Sequence, residues 1–320
     1  MRAMRILFMG TPDFAACILE RISQNTSDII VGAVTQPDKP RGRGYELAQS
    51  AVKKLAVAKN IVVYQPETLR DNAFLPELEE LAPELIIVAA YGKILPSYIL
   101  DFPRFGCINV HGSLLPKYRG AAPIQRALID GEKETGITIM KMAEGLDTGD
   151  MMLKRALEIT NDDNFETLHD KMALCACDAI TEAIELLREG KDTYEVQDDA
   201  LATYAEKITK DDCLIDFCTD AESVHNRIRG LSPIPLAYSY LDSKMIKFTS
   251  SKIVSSVGEN SDDAVGKIIG ADAQSSLITV ACKIGAVGIM GVLPEGKKRM
   301  SAADFIRGQQ QLTDKKFTRK

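Results

Sequence analysis

No stretch of this 320-residue chain reaches the ~20 consecutive apolar residues that span a bilayer. The apolar stretch at residues 6–9 is too short for the core of a signal peptide, so a cytoplasmic protein without membrane contact is the expectation. Cysteine supplies no framework either. Seven residues, an odd number, sit at positions 17, 107, 175, 177, 213, 218 and 282. Cys175 and Cys177 form C-x-C rather than C-x-x-C, with no His or second Cys pair close by in the sequence, so buried free thiols are expected rather than metal ligands. The turn Gly10-Thr11-Pro12-Asp13 holds a lone Gly, and without G-x-G-x-x-G a dinucleotide site is excluded. There is no internal repeat, no low-complexity tract and no Trp. The net charge of −6 is the wrong sign for a general nucleic-acid binder. Its distribution is uneven, with −9 on residues 1–207, +3 on residues 208–320 and a mostly basic final six residues, which permits local contact with phosphates without predicting it.

What is present reads as two domains. Apolar, strand-like runs at 6–9, 29–34, 61–64, 85–90 and 107–111 alternate with helical patterns at 47–59, 75–81 and 124–130. The run at 85–90 is continuous in Leu, Ile and Val, as in a parallel strand covered on both faces. This rhythm predicts an α/β fold, a doubly wound and mostly parallel sheet, in which ligands bind beyond the carboxyl ends of the strands. Two further strands are expected at 135–142 and 150–159. A long helix follows at 165–189, with apolar residues at 168, 172, 176, 180, 183, 184 and 187. A polar stretch then reads as a linker, and the pattern changes. One helix is expected at 221–231, followed by short runs at 236–241, 244–249, 267–271, 277–281 and 287–293, the pattern of a small antiparallel barrel. The expected divisions are 1–190 for a first domain, 191–207 for the linker and 208–320 for a second domain.

The most informative stretch is 106–150. A strand pattern delivers Asn109 and His111, two apart and so on one face. A Gly-rich turn later delivers Asp147. In isolation, Asn-x-His reads as a strand end with a core histidine, and an Asp in such a turn reads as a turn former. Together, an amide, an imidazole and a carboxylate can hold an oxyanion, shuttle a proton and orient the base, which suits acyl transfer to an amine without a covalent intermediate.

Around these residues stand Ser113-Leu114-Leu115-Pro116 and Arg119-Gly120-Ala121-Ala122-Pro123, and with them the segment resembles the active-site region of the folate-dependent formyltransferases. MRILFMGTPDFA near the start, QPDKPRGRG at 36–44, PELIIVAAYGKILP at 83–96 and HNRIRGLSPIPLAYSYL at 225–241 extend the likeness, in order, over nearly the whole chain, toward the branch that acts on methionyl-tRNA. The resemblance implies a Rossmann-like formyltransferase domain followed by an OB-like β-barrel that binds tRNA. It implies Asn109, His111 and Asp147 as the catalytic set. It implies 10-formyltetrahydrofolate as co-substrate, with no metal, bordered by Ala90, Tyr91, Gly92, Ile94, Leu95, Ser113, Leu114, Leu115, Pro116, Gly145 and Leu146. For the initiator methionyl-tRNA it implies contacts from Lys39, Arg41 and Arg43 in a mobile basic loop, and from Arg227, Arg229, Lys297, Lys298 and Arg299 in the second domain. A monomer is expected.

The chain departs from the pattern at Gln49-Ser50-Ala51-Val52-Lys53, where the anchor of the basic loop is at stake. It departs again at Ile234, where relatives carry a Trp, and at Gly112, where some carry a larger residue. His169 and His225 are expected as solvated helix histidines. A formyltransferase for a small amine, such as an amino-sugar nucleotide, is the alternative, and a tRNA-binding protein without activity is a third reading that the intact catalytic set opposes.

Overall fold

The computed structural model of the chain describes residues 3–24, 27–41, 46–309 and 311–319. Two compact units interleave along the sequence: Met1–Ala121, Glu134–Glu158 and His169–Ala205 form one, and Ala122–Lys133, Ile159–Leu168 and Glu206–Lys320 the other.

The first unit opens with β1 (Arg5–Gly10), α1 (Asp13–Ser23), β2 (Ile29–Val34), β3 (Lys39–Arg41), β4 (Glu46–Ala48), α2 (Ala51–Ala58) and β5 (Val63–Tyr64). It continues through α3 (Leu75–Leu81), β6 (Leu85–Ala89), α4 (Ser97–Leu100), β7 (Cys107–His111) and β8 (Arg119–Gly120). Helix α5 (Pro123–Ile129) belongs to the second unit. The chain then returns for β9 (Glu134–Lys141), β10 (Met151–Glu158), most of α6 (Phe165–Glu189) and β11 (Tyr204–Ala205).

One sheet organises this unit, in the order β10-β9-β7-β6-β1-β2-β5. The five strands from β7 to β5 are parallel; β9 and β10 are antiparallel to their neighbours. Every residue of β6 is buried, as its unbroken apolar run requires. The chain steps outward from β1 through β2 to β5 and returns at β6, so the strand order reverses between β1 and β6. Ligand crevices in such sheets open there. A side chain at Gly10 would overlap Ala15, Phe8 and the Ala89 carbonyl, so only glycine lets these strand ends close up.

The helix expected from residue 47 starts at Ala51. Glu46–Ala48 pair instead with Lys39–Arg41, and Ser50 caps α2 by accepting from Lys53 N at 3.0 Å. Of residues 191–207, expected as linker, those up to 205 are built into this unit. β11 pairs with β8, and Gln197 is buried.

The second unit contains α7 (Ala221–Gly230), β12 (Ala237–Leu241), β13 (Lys244–Glu259), β14 (Ile268–Asp272), β15 (Leu277–Ala281), β16 (Ile284–Pro294), β17 (Met300–Ser301) and α8 (Ala302–Arg307). Its antiparallel sheet runs β12-β13-β16-β15-β14, with β17 on β16. The basic tail is structural. Thr318 and Tyr240 of β12 exchange backbone hydrogen bonds at 2.9 and 3.1 Å, while Phe317 N donates to Gly266 O at 2.8 Å and Ile268 N of β14 donates to Lys315 O at 2.8 Å. The tail thus bonds to both outer strands of the sheet. Phe317 is buried, with ring centroids 5.8 Å from Phe217 and 5.3 Å from Phe248. Helices α5 and α7 meet where a Cβ on Gly230 would overlap Ile129, so this glycine permits their close approach.

All seven cysteines are free: four are buried, Cys17 and Cys175 half-buried, and Cys218 exposed, which corrects the expectation of burial there. No helix among the described residues is long and apolar enough to cross a membrane.

Candidate active site

Strand β7 carries Asn109 and His111 to one side of the sheet, between β6 and β9; Asn109 lies opposite Val88 and Met140, and His111 opposite Thr138. The turn joining β9 to β10 brings Asp147 to them. Asn109 Nδ2 lies 3.4 Å from Asp147 Oδ1, and His111 Nδ1 lies 3.6 Å from Asp147 Oδ2. Gly120 N donates to Asp147 Oδ2 at 2.8 Å, a charge-assisted bond that fixes the carboxylate. His111 is buried and Asn109 half-buried, while Asp147 keeps 14 % of its side-chain surface in solvent, so the cluster opens on the carboxylate side.

The second ring nitrogen of His111 is committed. Nε2 lies 2.9 Å from the Tyr118 carbonyl, which can only accept, so Nε2 carries the hydrogen and Nδ1 faces Asp147. An amide donor, an imidazole nitrogen and a carboxylate therefore meet within a few ångströms, the arrangement that acyl transfer to an amine needs.

The loop after β7 is braced from β9. Thr138 Oγ1 donates to Ser113 O at 2.7 Å and accepts from Leu115 N at 3.1 Å, and Ser113 Oγ donates to Lys117 O at 2.6 Å. The side chains of Ser113 and Leu115 are consumed by this bracing and by packing, Leu115 against Met140 and Met151. Leu114 and Pro116 are half-buried.

In the turn after β6, Ala90 and Gly92 are exposed and Ile94 is 91 % exposed, whereas Tyr91 and Leu95 point into the core. Gln36 Nε2 donates to the carbonyls of both Tyr91 and Gly92, at 3.0 and 3.1 Å, and Thr11 Oγ1 donates to Tyr91 O at 3.1 Å. The Tyr91 hydroxyl has no hydrogen-bond partner among the described residues, and burial pushes its pKa to about 12. Gly145 and Leu146 are exposed beside Asp147.

The cations expected to meet tRNA are dispersed. Lys39 is exposed and donates to Gln36 Oε1 at 3.0 Å; Arg41 ends β3; Arg43 lies outside the described residues. The loop's anchor is explicit: Lys53 Nζ reaches Asp38 Oδ2 at 2.6 Å and Gln65 Oε1 at 2.7 Å, and Gln65 Nε2 reaches Asp38 Oδ1 at 2.8 Å. The Lys53 and Gln65 bonds hold the Asp38 carboxyl below its usual range. In the second unit, Lys297, Lys298 and Arg299 are exposed, and half-buried Arg227 donates to Asp212 O at 3.3 Å.

Two expectations need correction. Arg229 is buried, with Nε on Asn226 Oδ1 at 2.8 Å and Nη1 on the carbonyls of Thr160 and Asp163 at 2.9 and 3.1 Å, so most of its guanidinium is turned inward rather than toward solvent. His225 is half-buried, 2.9 Å from Ser251 Oγ, and burial lowers its pKa to about 4. His169 is also partly covered, edge-on to Phe14 at 5.9 Å.

Sequence reasoning missed Gln197, Gly149 and the part played by Arg119. Arg119 is buried and donates twice to Gln197 Oε1, at 3.0 and 2.8 Å. Gln197 Nε2 donates to the carbonyls of Asp147 at 2.8 Å and Gly149 at 2.7 Å. No local pattern marks a lone Gln in a polar stretch, so only the folded chain reveals it.

Residues 4–184 match the family profile described as "Formyl transferase", and residues 207–310 match "Formyl transferase, C-terminal domain". The chain is 45% identical over 317 residues to the methionyl-tRNA formyltransferase of Geotalea daltonii, covering 99% of each. It is 48% identical over 306 residues to that of Caldanaerobacter subterraneus, covering 95% of this chain and 97% of that one. Among solved structures, an N-formyltransferase from Helicobacter canadensis superposes with a TM-score of 0.67 at 18% identity, over 89% of this chain and 98% of that one. The methionyl-tRNA formyltransferase from Clostridium thermocellum does so with a TM-score of 0.54 at 20% identity, over 78% and 93%. Those two likenesses concern the fold; the two profiles and the near half identity over full length show that this chain belongs to the formyl transferase family.

Proposed function

We propose that this protein transfers the formyl group of 10-formyltetrahydrofolate to the α-amine of methionine carried by the initiator tRNA. The observation that carries the reading is the convergence of Asn109 and His111 on the Asp147 carboxylate, at the mouth of a sheet whose strand order reverses close by. The relatives alike over their full length bear the name of this activity.

The folate co-substrate brings an electrophilic formyl carbon. The exposed lip suits a flat ring: Ala90 and Gly92 present little but backbone, while Ile94 and Leu146 offer apolar surface. Asn109 donates its amide hydrogen to the formyl oxygen as that oxygen takes on charge, a contribution of ~10²–10³ in rate. The attacking nitrogen loses its proton to His111 or to a water held by Asp147. Nδ1 is the ring atom free for that exchange, because Nε2 is held by Tyr118. The same route returns a proton to the departing folate nitrogen.

The reading assigns chemistry to the first unit and tRNA contact to Lys39, Arg41 and Arg43 with Arg227, Lys297, Lys298 and Arg299, in a cytoplasmic monomer. Supplying charged initiator methionyl-tRNA with 10-formyltetrahydrofolate should yield N-formylmethionine. No product at micromolar enzyme, or formylation of an amino-sugar nucleotide in its place, would reject it.

A further inference from the structure

We propose that Gln197 and Arg119 are positioning residues that hold Asp147 in its working conformation; the inference rests on the function proposed above. Asp147 sits at φ +51°, in the left-handed region that costs a side-chain-bearing residue conformational energy. Such a conformation persists only where neighbours over-determine it, and three features do so.

Gln197 uses both amide hydrogens on the turn, one on the carbonyl of Asp147 itself and one on that of Gly149. Its orientation is settled by chemistry. The guanidinium of Arg119 can only donate, so the Gln197 oxygen faces Arg119 and its NH₂ faces the two carbonyls. Arg119 is 2 % exposed and is held in turn by Asp199 at 2.7 Å. On the far side of the turn, a Cβ on Gly149 would run into the Lys141 carbonyl, so the turn is confined from both directions.

The next residue in β8, Gly120, donates its N–H to the Asp147 carboxylate. One short strand therefore fixes both parts of this residue, the carboxylate through Gly120 and the main chain through Arg119 and Gln197. β8 keeps its place by pairing with β11, at the end of the same strap that carries Gln197. That strap lies within residues 185–206, between the two stretches that match the family profiles. A residue outside both stretches thus governs where the carboxylate points, and a displacement of about 1 Å at a reacting centre can cost ~10²-fold in rate.

Gln197→Glu isolates this role. It keeps the size and the bond to Arg119 but turns an oxygen toward two carbonyls. The variant leaves two carbonyls without their donor and should melt below wild type while still folding, with kcat lowered about 10- to 100-fold and both KM values within about threefold. In an Asp147→Ala background the same change should alter kcat by less than about twofold, because the group it positions is gone. A folded Gln197→Glu enzyme with wild-type kcat would overturn the proposal, as would a full, multiplicative loss in the Asp147→Ala background. A wild type that does not formylate methionyl-tRNA would fail the function, and a crystal structure of Gln197→Glu would still decide the clamp. Asp147 leaving positive φ or releasing Gly120 N supports it; an unmoved Asp147 overturns it.

Discussion

Acidifying the protein from about pH 7 to about pH 4 should remove close to 3 kcal/mol of stability through one side chain, His225. His225 lies half-buried on α7 with Nδ1 against Ser251 of β13. Removal from water lowers its pKa to about 4 from an ordinary 6.5, and the Arg229 guanidinium pushes the same way; a backbone hydrogen bond with Asn161 and the Glu222 carboxylate oppose them. The folded chain therefore keeps this imidazole neutral where the unfolded chain protonates it. Its contribution is whole above about pH 6.5 and drains away as pH falls toward 4, since only the unfolded state gains a proton in that window. A drop from 6.5 to about 4 converts to about 3 kcal/mol. Urea unfolding of wild type and His225→Gln at several values between about pH 7 and pH 4 reads the effect as a difference. Asp212 and Asp220, both held below the usual carboxylate range, lose stability at lower pH and cancel between the two proteins. The gap should be largest at neutral pH and close on acidification. Parallel curves would refute the reasoning, as would an NMR titration of His225 above about pH 6.

Asn109→Ala should lower kcat ~10²–10³-fold and leave tRNA affinity by filter binding nearly unchanged. Equal losses in both would mean that Asn109 shapes the fold rather than the transition state. Arg229→Ala should cost about 3 kcal/mol, because it strips three hydrogen bonds from a buried site, and should not raise the KM for tRNA. A melting temperature within about one degree of wild type would contradict that burial. Phe317→Ala should destabilise the second unit by about 3–5 kcal/mol, since the ring fills space beside Phe217 and Phe248. A loss below about 1 kcal/mol in chemical denaturation would mean that the tail merely rests on the barrel.

Much of the fold could be read from periodicity. The strand at 107–111 and the helices at 75–81 and 165–189 appear at the expected positions because their apolar residues repeat at the period of the element that buries them. The hairpin of β3 and β4 was not legible, since three-residue strands of mixed polarity carry no period. Nor was the interleaving of the two units. Residues 122–133 pack with α7 of the second unit although the chain returns at once to the first. The final six residues read as a basic patch because charge is visible in a sequence, while the backbone partners that make residues 315–318 a strand-like strap are not.

By itself, the sequence determined that Asn109 and His111 share one side of a strand, because alternation is a local property of extended backbone. Asp147 it marked only through the resemblance of the whole motif to the formyltransferases, since alone an Asp in a Gly-rich turn reads as a turn former. Only the tertiary structure decided that the three side chains meet, that His111 spends one nitrogen on Tyr118, and that Arg229 is buried. It alone brought Gln197, 50 residues away along the chain, under the carbonyl of Asp147. The physical reason is the range of the forces involved. Propensity and periodicity act over a few neighbouring residues, whereas the partner of a buried polar group is whichever group the packed chain brings within about 3 Å.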